Sequence, residues 1–197
     1  MKHLFALLFI LGFIHPETTF SKMDLSLSTA LEGNNRSASM DFTMEMLALS
    51  TPFIEFGYAG ILQMESHNLH SLALSALGVQ LPIAMGKYIV NRDRPNRQYK
   101  PRLWNSRRTP SFPSGHAATT AAWATTINLN DPQTQSIMIG YVLISGYSQV
   151  YVGNHYISDV LAGWILGWAT ALFFHRSFES NQNKSARAPF LRISIPL

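Results

Sequence analysis

Eight of the fifteen Lys and Arg residues of this chain fall between positions 87 and 108: Lys87, Arg92, Arg94, Arg97, Lys100, Arg102, Arg107 and Arg108, opposed there only by Asp93. Gathering the charge into one stretch leaves long flanks nearly uncharged, and apolar flanks with helical spacing must bury at least one face. The chain is therefore constrained to apolar helices arranged around a single basic segment. Charged residues make up only 13% of the sequence, where about a quarter is usual, so the net charge of +4 belongs to a site and not to the surface at large. Such a loop attracts anions: phosphate, nucleic acid or anionic lipid head groups. Cysteine is absent, which excludes disulfides, Cys-ligated zinc and thiol chemistry.

Residues 1–21 read as a secretory signal peptide. Lys2 and His3 make a short basic start, and Leu4 to Ile14 is an uncharged apolar run, shorter than the roughly 20 residues a membrane span needs. Thr19 and Ser21 are small residues placed for cleavage after Ser21. Residues 22–180 read as one all-α domain, a bundle of about five or six core helices, with few strand signals and no repeat. Within it, Pro52 suits the first turn of a helix running to about Glu65, and Leu69–Val90 reads as one apolar helix with a kink at Pro82. Residues 91–112 form a loop too long and too charged to be mere connection. Helices are expected near Ser114–Ile127, over Gln133–Tyr151, and over Tyr156–Phe174 after a break at Gly153-Asn154. Residues 181–197 read as a tail. The longest uncharged apolar run after the leader, Val160–Phe174, fits a buried core helix better than a full span. Gly163 and Gly167 form a G-x-x-x-G, which favours close packing in a membrane or in any tight bundle.

Three short pieces carry chemistry. Lys87 closes an apolar helix and is followed by Arg94-Pro95, the arginine offering a planar fork matched to phosphate oxygens. Taken alone this is equally a solvated helix end. Pro113-Ser114-Gly115-His116 opens an alanine-rich run, with Ser114 as N-cap and Gly115 allowing close backbone approach. Backbone N–H groups at such a start bind anions, although a capped helix with an incidental histidine reads the same way. His155 and Asp159 are four residues apart, which on a helix stacks them one turn apart. The carboxylate can then accept from one imidazole nitrogen and leave the other electron-rich. His67 and His70 read as surface or core histidines without a carboxylate partner at matching spacing.

Together and in this order, the three pieces resemble the signature of the type 2 phosphatidic acid phosphatase family, whose superfamily includes class A acid phosphatases and vanadium-dependent haloperoxidases. The family pattern is K-x6-R-P, P-S-G-H and S-R-x5-H-x3-D. This chain supplies Lys87, Arg94 and Pro95, then Pro113 to His116, then Ser148, His155 and Asp159. The resemblance implies an acid phosphatase/haloperoxidase-like helical fold and a phosphatase that needs no cofactor and no metal. It implies His155 as nucleophile, Asp159 as its orienting carboxylate and His116 as acid and base. Lys87, Arg94, Ser114, Gly115 and Gln149 are implied to hold the phosphate. One position departs: the family's arginine after the serine is Gln149, which donates hydrogen bonds but carries no charge. Arg92, Arg107 or Arg108 is then expected to supply the missing charge, and Gln149→Arg to raise turnover if none does.

The contexts S-F-P-S-G-H-A and H-Y-x-S-D-V-L-A-G are more similar to the lipid-phosphate branch. The expected partner is a phosphorylated lipid such as phosphatidate or undecaprenyl diphosphate, with contact to a membrane surface. A broad-specificity periplasmic phosphatase is the other enzymatic reading; a haloperoxidase and an inactive anion-binding relic rank below both. Nucleic acid is not expected, since the basic loop carries only Tyr99 and Trp104 as interleaved aromatics. The expected location is exported, in the periplasm or peripheral on the outer face of the inner membrane, ahead of an integral membrane bundle.

Overall fold

The computed structural model describes residues 19–32, 37–62, 68–95 and 110–187. Seven α-helices and one 3-10 turn cover most of them: α1 (Thr19–Glu32), α2 (Ala38–Leu62), α3 (Asn68–Gly78), α4 (Gln80–Val90), α5 (Gly115–Asn130), the turn Pro132–Thr134, α6 (Gln135–Tyr151) and α7 (Ile157–Arg187). Among the described residues there is no strand, as the all-α expectation requires.

The bundle is built around α5. Its Ala117, Ala118, Ala121, Ala122 and Ala124 are buried, together with Thr120, Trp123, Thr126 and Ile127. Alanine on this many faces lets neighbouring backbones approach closely, and α7 uses that freedom most. A Cβ on Gly163 would lie 2.6 Å from Ser114 O, and one on Gly167 would lie 2.8 Å from Ala122 N. The two glycines of the G-x-x-x-G are thus the surface on which the start of α5 rests. Gly146 does the same for α6, where a Cβ would meet Val160 at 2.8 Å.

Pro52 does not open a helix. It lies inside α2, which is continuous over 25 residues. Proline has no N–H to give to the carbonyl four residues back, here Ala48, and that carbonyl accepts instead from Gln149 Nε2 of α6 at 3.1 Å. A side chain from another helix replaces the missing rung, so the helix runs on. The expected single helix Leu69–Val90 is interrupted at Val79, between α3 and α4, three residues ahead of Pro82. Two hydrogen bonds, from Val79 N to Ser75 O at 3.1 Å and from Ile83 N to Val79 O at 3.2 Å, carry the chain through the break. At the end, α7 continues past residue 180 to Arg187, so the expected tail begins as helix. At the start, α1 already includes Thr19 to Ser21; the apolar run of the expected leader lies outside the described residues.

Two stretches are long and apolar enough to cross a membrane, Leu72–Val90 and Ile157–Ser177, and only 17% and 33% of each is buried inside the bundle. Leu77, Leu81, Tyr88, Ile89, Ile165 and Phe173 are among their exposed side chains. Apolar helices this uncovered among the described residues suit an apolar medium outside the protein. The run Val160–Phe174 undercounts α7 because it stops at the first charged or polar residue, whereas a span tolerates such residues near its ends. The reading of that run as a buried core helix is therefore corrected: these two helices mark the chain as membrane-associated.

Candidate active site

The C-terminal end of α4 and the starts of α5 and α7 meet at one end of the bundle. Ser114 N donates to Asp159 O at 2.9 Å, which ties the start of α5 to the first turn of α7. Ser114 is the N-cap of α5, its hydroxyl accepting from Ala117 N at 3.4 Å. Gly115 and His116 follow in the first turn, both half-buried.

His155 is buried, 3% exposed. Its Nδ1 lies 3.5 Å from Asp159 Oδ2, and its Nε2 lies 3.4 Å from Arg94 Nη1. The i,i+4 spacing thus brings imidazole and carboxylate within ion-pair distance, although His155 sits just ahead of α7 and not within it. Asp159 is fully buried and held at both oxygens. Oδ2 also accepts from Tyr156 N at 3.0 Å, and Oδ1 accepts from Arg92 Nη1 at 2.9 Å. Burial is the main reason the His155 imidazole is pushed down to about 4; Asp159 pulls the other way, and the Arg94 and Lys87 charges add to the lowering. The ring is therefore neutral near pH 7. Its Nδ1 faces Asp159 and its Nε2 faces the guanidinium side.

Arg94 Nη1 also donates to Asn154 O at 2.6 Å, fixing the fork beside His155. Lys87, in the last turn of α4, donates from Nζ to Pro110 O at 2.8 Å and bridges to the chain that leads into α5. The structure therefore brings Lys87, Arg94, Ser114, His155 and Asp159 to one end of the bundle, with Gly115 and His116 on the same helix start.

Gln149 is placed differently from the expectation. It is fully buried, donates to Ala48 O, and accepts from Asn154 Nδ2 through Oε1 at 2.7 Å. Both ends of the amide are engaged within the fold, in service of the carbonyl that Pro52 leaves open. Arg92 is likewise committed elsewhere: besides Asp159 it donates from Nη2 to Asp24 Oδ2 at 2.8 Å and from Nη1 to Ser158 Oγ at 2.7 Å, and its guanidinium lies 3.7 Å from the Tyr156 ring centroid. It cannot also replace the family arginine at the phosphate. Arg97, Lys100, Arg102, Arg107 and Arg108, with Tyr99, Trp104 and His67, lie outside the described residues, as does the side chain of His70.

Three participants were not read from the sequence. Asp24 and Ser28, on α1, accept from the first backbone N–H groups of α7: Ile157 N donates to Ser28 Oγ at 3.0 Å and Ser158 N to Asp24 Oδ1 at 3.2 Å. Asn154 joins Gln149 to Arg94. An aspartate and a serine four apart on a helix were visible as one face, but nothing in their spacing says which helix end they cap.

A helical bundle with a histidine, a basic cluster and a capped helix start at one end is the frame in which the likeness to known proteins falls. The chain belongs to the PAP2 superfamily, whose family pattern matches residues 68–183. A stretch of 65 residues is 48% identical to the undecaprenyl-diphosphatase of Sulfolobus acidocaldarius, covering 32% of this chain and 31% of that protein. A stretch of 70 residues is 40% identical to the lipid A 1-phosphatase of Rhizobium johnstonii, covering 34% and 29%. The chain thus matches about a third of the length of these curated relatives. Two solved structures share the fold. LpxE of Aquifex aeolicus superposes with a TM-score of 0.66 at 21% identity, over 78% of this chain and 95% of that one. The first transmembrane PAP2-type phosphatidylglycerolphosphate phosphatase from Bacillus subtilis does so with a TM-score of 0.68 at 23% identity, over 88% and 94%.

Proposed function

We propose that the chain is a membrane-embedded phosphatase that hydrolyses a lipid-borne monophosphate or diphosphate through a phosphohistidine. The observation that carries this reading is the two-sided fixing of His155, with Asp159 at one ring nitrogen and Arg94 at the other. A neutral imidazole so held is a nucleophile aimed at whatever anion Arg94 binds. In the first step Nε2 of His155 forms the N–P bond while the P–O bond to the lipid breaks. The leaving oxygen takes its proton from His116. In the second step His116 takes a proton from water, which attacks phosphorus and releases inorganic phosphate and free His155. Lys87, Arg94, the Ser114 hydroxyl and the Gly115 N–H stabilise charge on the equatorial oxygens. Gln149 acts through Asn154, whose carbonyl holds Arg94, and not by touching phosphate.

The lipid substrate is supported by the relatives, named for undecaprenyl diphosphate and lipid A, and by the uncovered apolar helices flanking the site. The test is hydrolysis by protein purified in detergent. Undecaprenyl diphosphate or phosphatidate is expected to be cleaved with higher kcat/KM than p-nitrophenyl phosphate, and EDTA is expected to have no effect. Preference for the soluble ester would redirect the reading to a broad-specificity phosphatase; no hydrolysis of any of them would end it. The leader-like start of the chain supports an outward-facing site. Because cysteine is absent, a single Asp93→Cys substitution near the site gives one thiol, expected to react in whole cells with an impermeant maleimide.

A further inference from the structure

The nucleophile's carboxylate is the inner member of a longer buried chain. Asp24 of α1, Arg92 after α4, Asp159 of α7 and His155 follow one another at 2.8 Å, 2.9 Å and 3.5 Å. All four are at most 9% exposed. Each outer member has more than one hold. Arg92 bridges two carboxylates and the Ser158 hydroxyl over the face of Tyr156, and its own carbonyl accepts from Ser111 N at 2.8 Å. Asp24 accepts from both the backbone N–H and the hydroxyl of Ser158. Buried carboxylates around one guanidinium cost desolvation unless the geometry is closed on all sides, and here it is.

We propose that Asp24 and Arg92 are positioning residues of the active site, and that α1 completes the site as its outer wall. This deepens the phosphatase reading and rests on it. Asp159 can orient His155 only if its own rotamer is fixed, and Arg92 fixes Oδ1 while leaving Oδ2 to the imidazole. Arg92 would drain charge from Asp159 if it had no other anion; Asp24 shares that cation and leaves Asp159 basic enough to hold the Nδ1 proton. The groups facing this chain are His155, Lys87 and Arg94 on the inner side and Ser158 and Tyr156 on the outer.

The two links act in opposite directions on the imidazole, which a merely structural role would not do. Removing Arg92 leaves Asp159 more basic, so Arg92→Gln is expected to raise the His155 pKa. Removing Asp24 leaves the Arg92 charge unshared, so Asp24→Asn is expected to lower it. Both should reduce kcat by about 10- to 100-fold, the usual range for outer partners of a functional group, with KM changed less than about twofold. Asp24→Glu should recover part of the loss. The pKa and tautomer are read on the full-length protein in detergent by 15N NMR of histidine-labelled samples, with His155→Ala assigning the resonance. This reading needs no turnover, so an inactive wild type would sink the phosphatase reading while the relay is still tested. Should Arg92→Gln unfold the protein, the Asp24→Asn shift alone decides. A His155 pKa unmoved by Asp24→Asn, or moved in the same direction by both variants, overturns the proposal, as does loss of kcat only in step with loss of folded protein.

Discussion

The starts of α5 and α7 lie side by side, yet their backbone N–H groups are used in different ways. At α7 the first two donors are taken by α1, Ile157 N by Ser28 and Ser158 N by Asp24, while Tyr156 N, just ahead, is taken by the helix's own Asp159. At α5 the cap is local, Ser114 to Ala117 N at a long 3.4 Å, with glycine next. A helix start whose donors are filled from outside is a rigid mount. A helix start with a local serine cap and a glycine beside it is the kind of start at which anions bind. On the proposed reading, the P-S-G-H and H-x3-D signatures divide the labour: α7 mounts His155, and α5 is the side that would receive the anion.

The largest effects should come from the residues that embody each side. His155→Ala is expected to reduce turnover to background and to abolish acid-labile 32P label on the protein. His116→Ala, on the α5 side, should cost about 10²- to 10⁴-fold and leave the label trapped when the leaving group is activated. Equal label with both variants would erase the distinction. Arg94 lies beside His155, and Arg94→Lys keeps its charge but loses the fork that holds Asn154 O and faces His155 together. Losing a charge-assisted bond of roughly 1.5–3 kcal/mol predicts a ten- to hundredfold fall in kcat/KM; wild-type kinetics would show that charge alone suffices.

A smaller effect concerns pH. The His155 pKa is lowered from the ordinary value to about 4, so the neutral imidazole persists as pH falls through 6 and is lost only near 4. Its contribution to kcat/KM should then fall about tenfold per unit below that point. Asp159 raises this pKa, so Asp159→Asn should move the limb to still lower pH while reducing the rate. A limb that stays near 6.5 in both proteins would mean that His155 is not desolvated as the fold shows it.

Much of this site was legible in sequence, for a physical reason. Lys87 with Arg94, Ser114 with His116, and His155 with Asp159 are local pairs whose spacing is fixed by helix geometry or by a short loop, and the last of them is in contact. The outer shell was not legible, because Asp24 meets Arg92 and Ser158 across 68 and 134 residues, and no periodicity links them. The helices were visible from apolar spacing, whereas Pro52 was misplaced because its rescue comes from α6. The membrane-facing helices were undercounted because an uncharged run is a stricter test than a span.

The finest distinction is at Gln149, where the family has arginine. If Gln149 serves the carbonyl that Pro52 leaves open, the two residues must be coupled. Gln149→Met removes the donor to Ala48 O and the acceptor for Asn154, and an unsatisfied buried carbonyl costs about 1–3 kcal/mol. In a Pro52→Ala background the new N–H can reach Ala48 O, so that part of the cost should vanish. A double-mutant cycle on thermal or denaturant stability in detergent is expected to show a coupling of about 1 kcal/mol, the remaining loss being the Asn154 contact. Gln149→Arg could donate to Ala48 O but could not accept from Asn154, so it is expected to lower turnover by loosening Arg94, contrary to what the missing charge alone suggested. Additive stabilities, or a gain in turnover with arginine, would return Gln149 to the phosphate and make the end of α6 part of the binding surface.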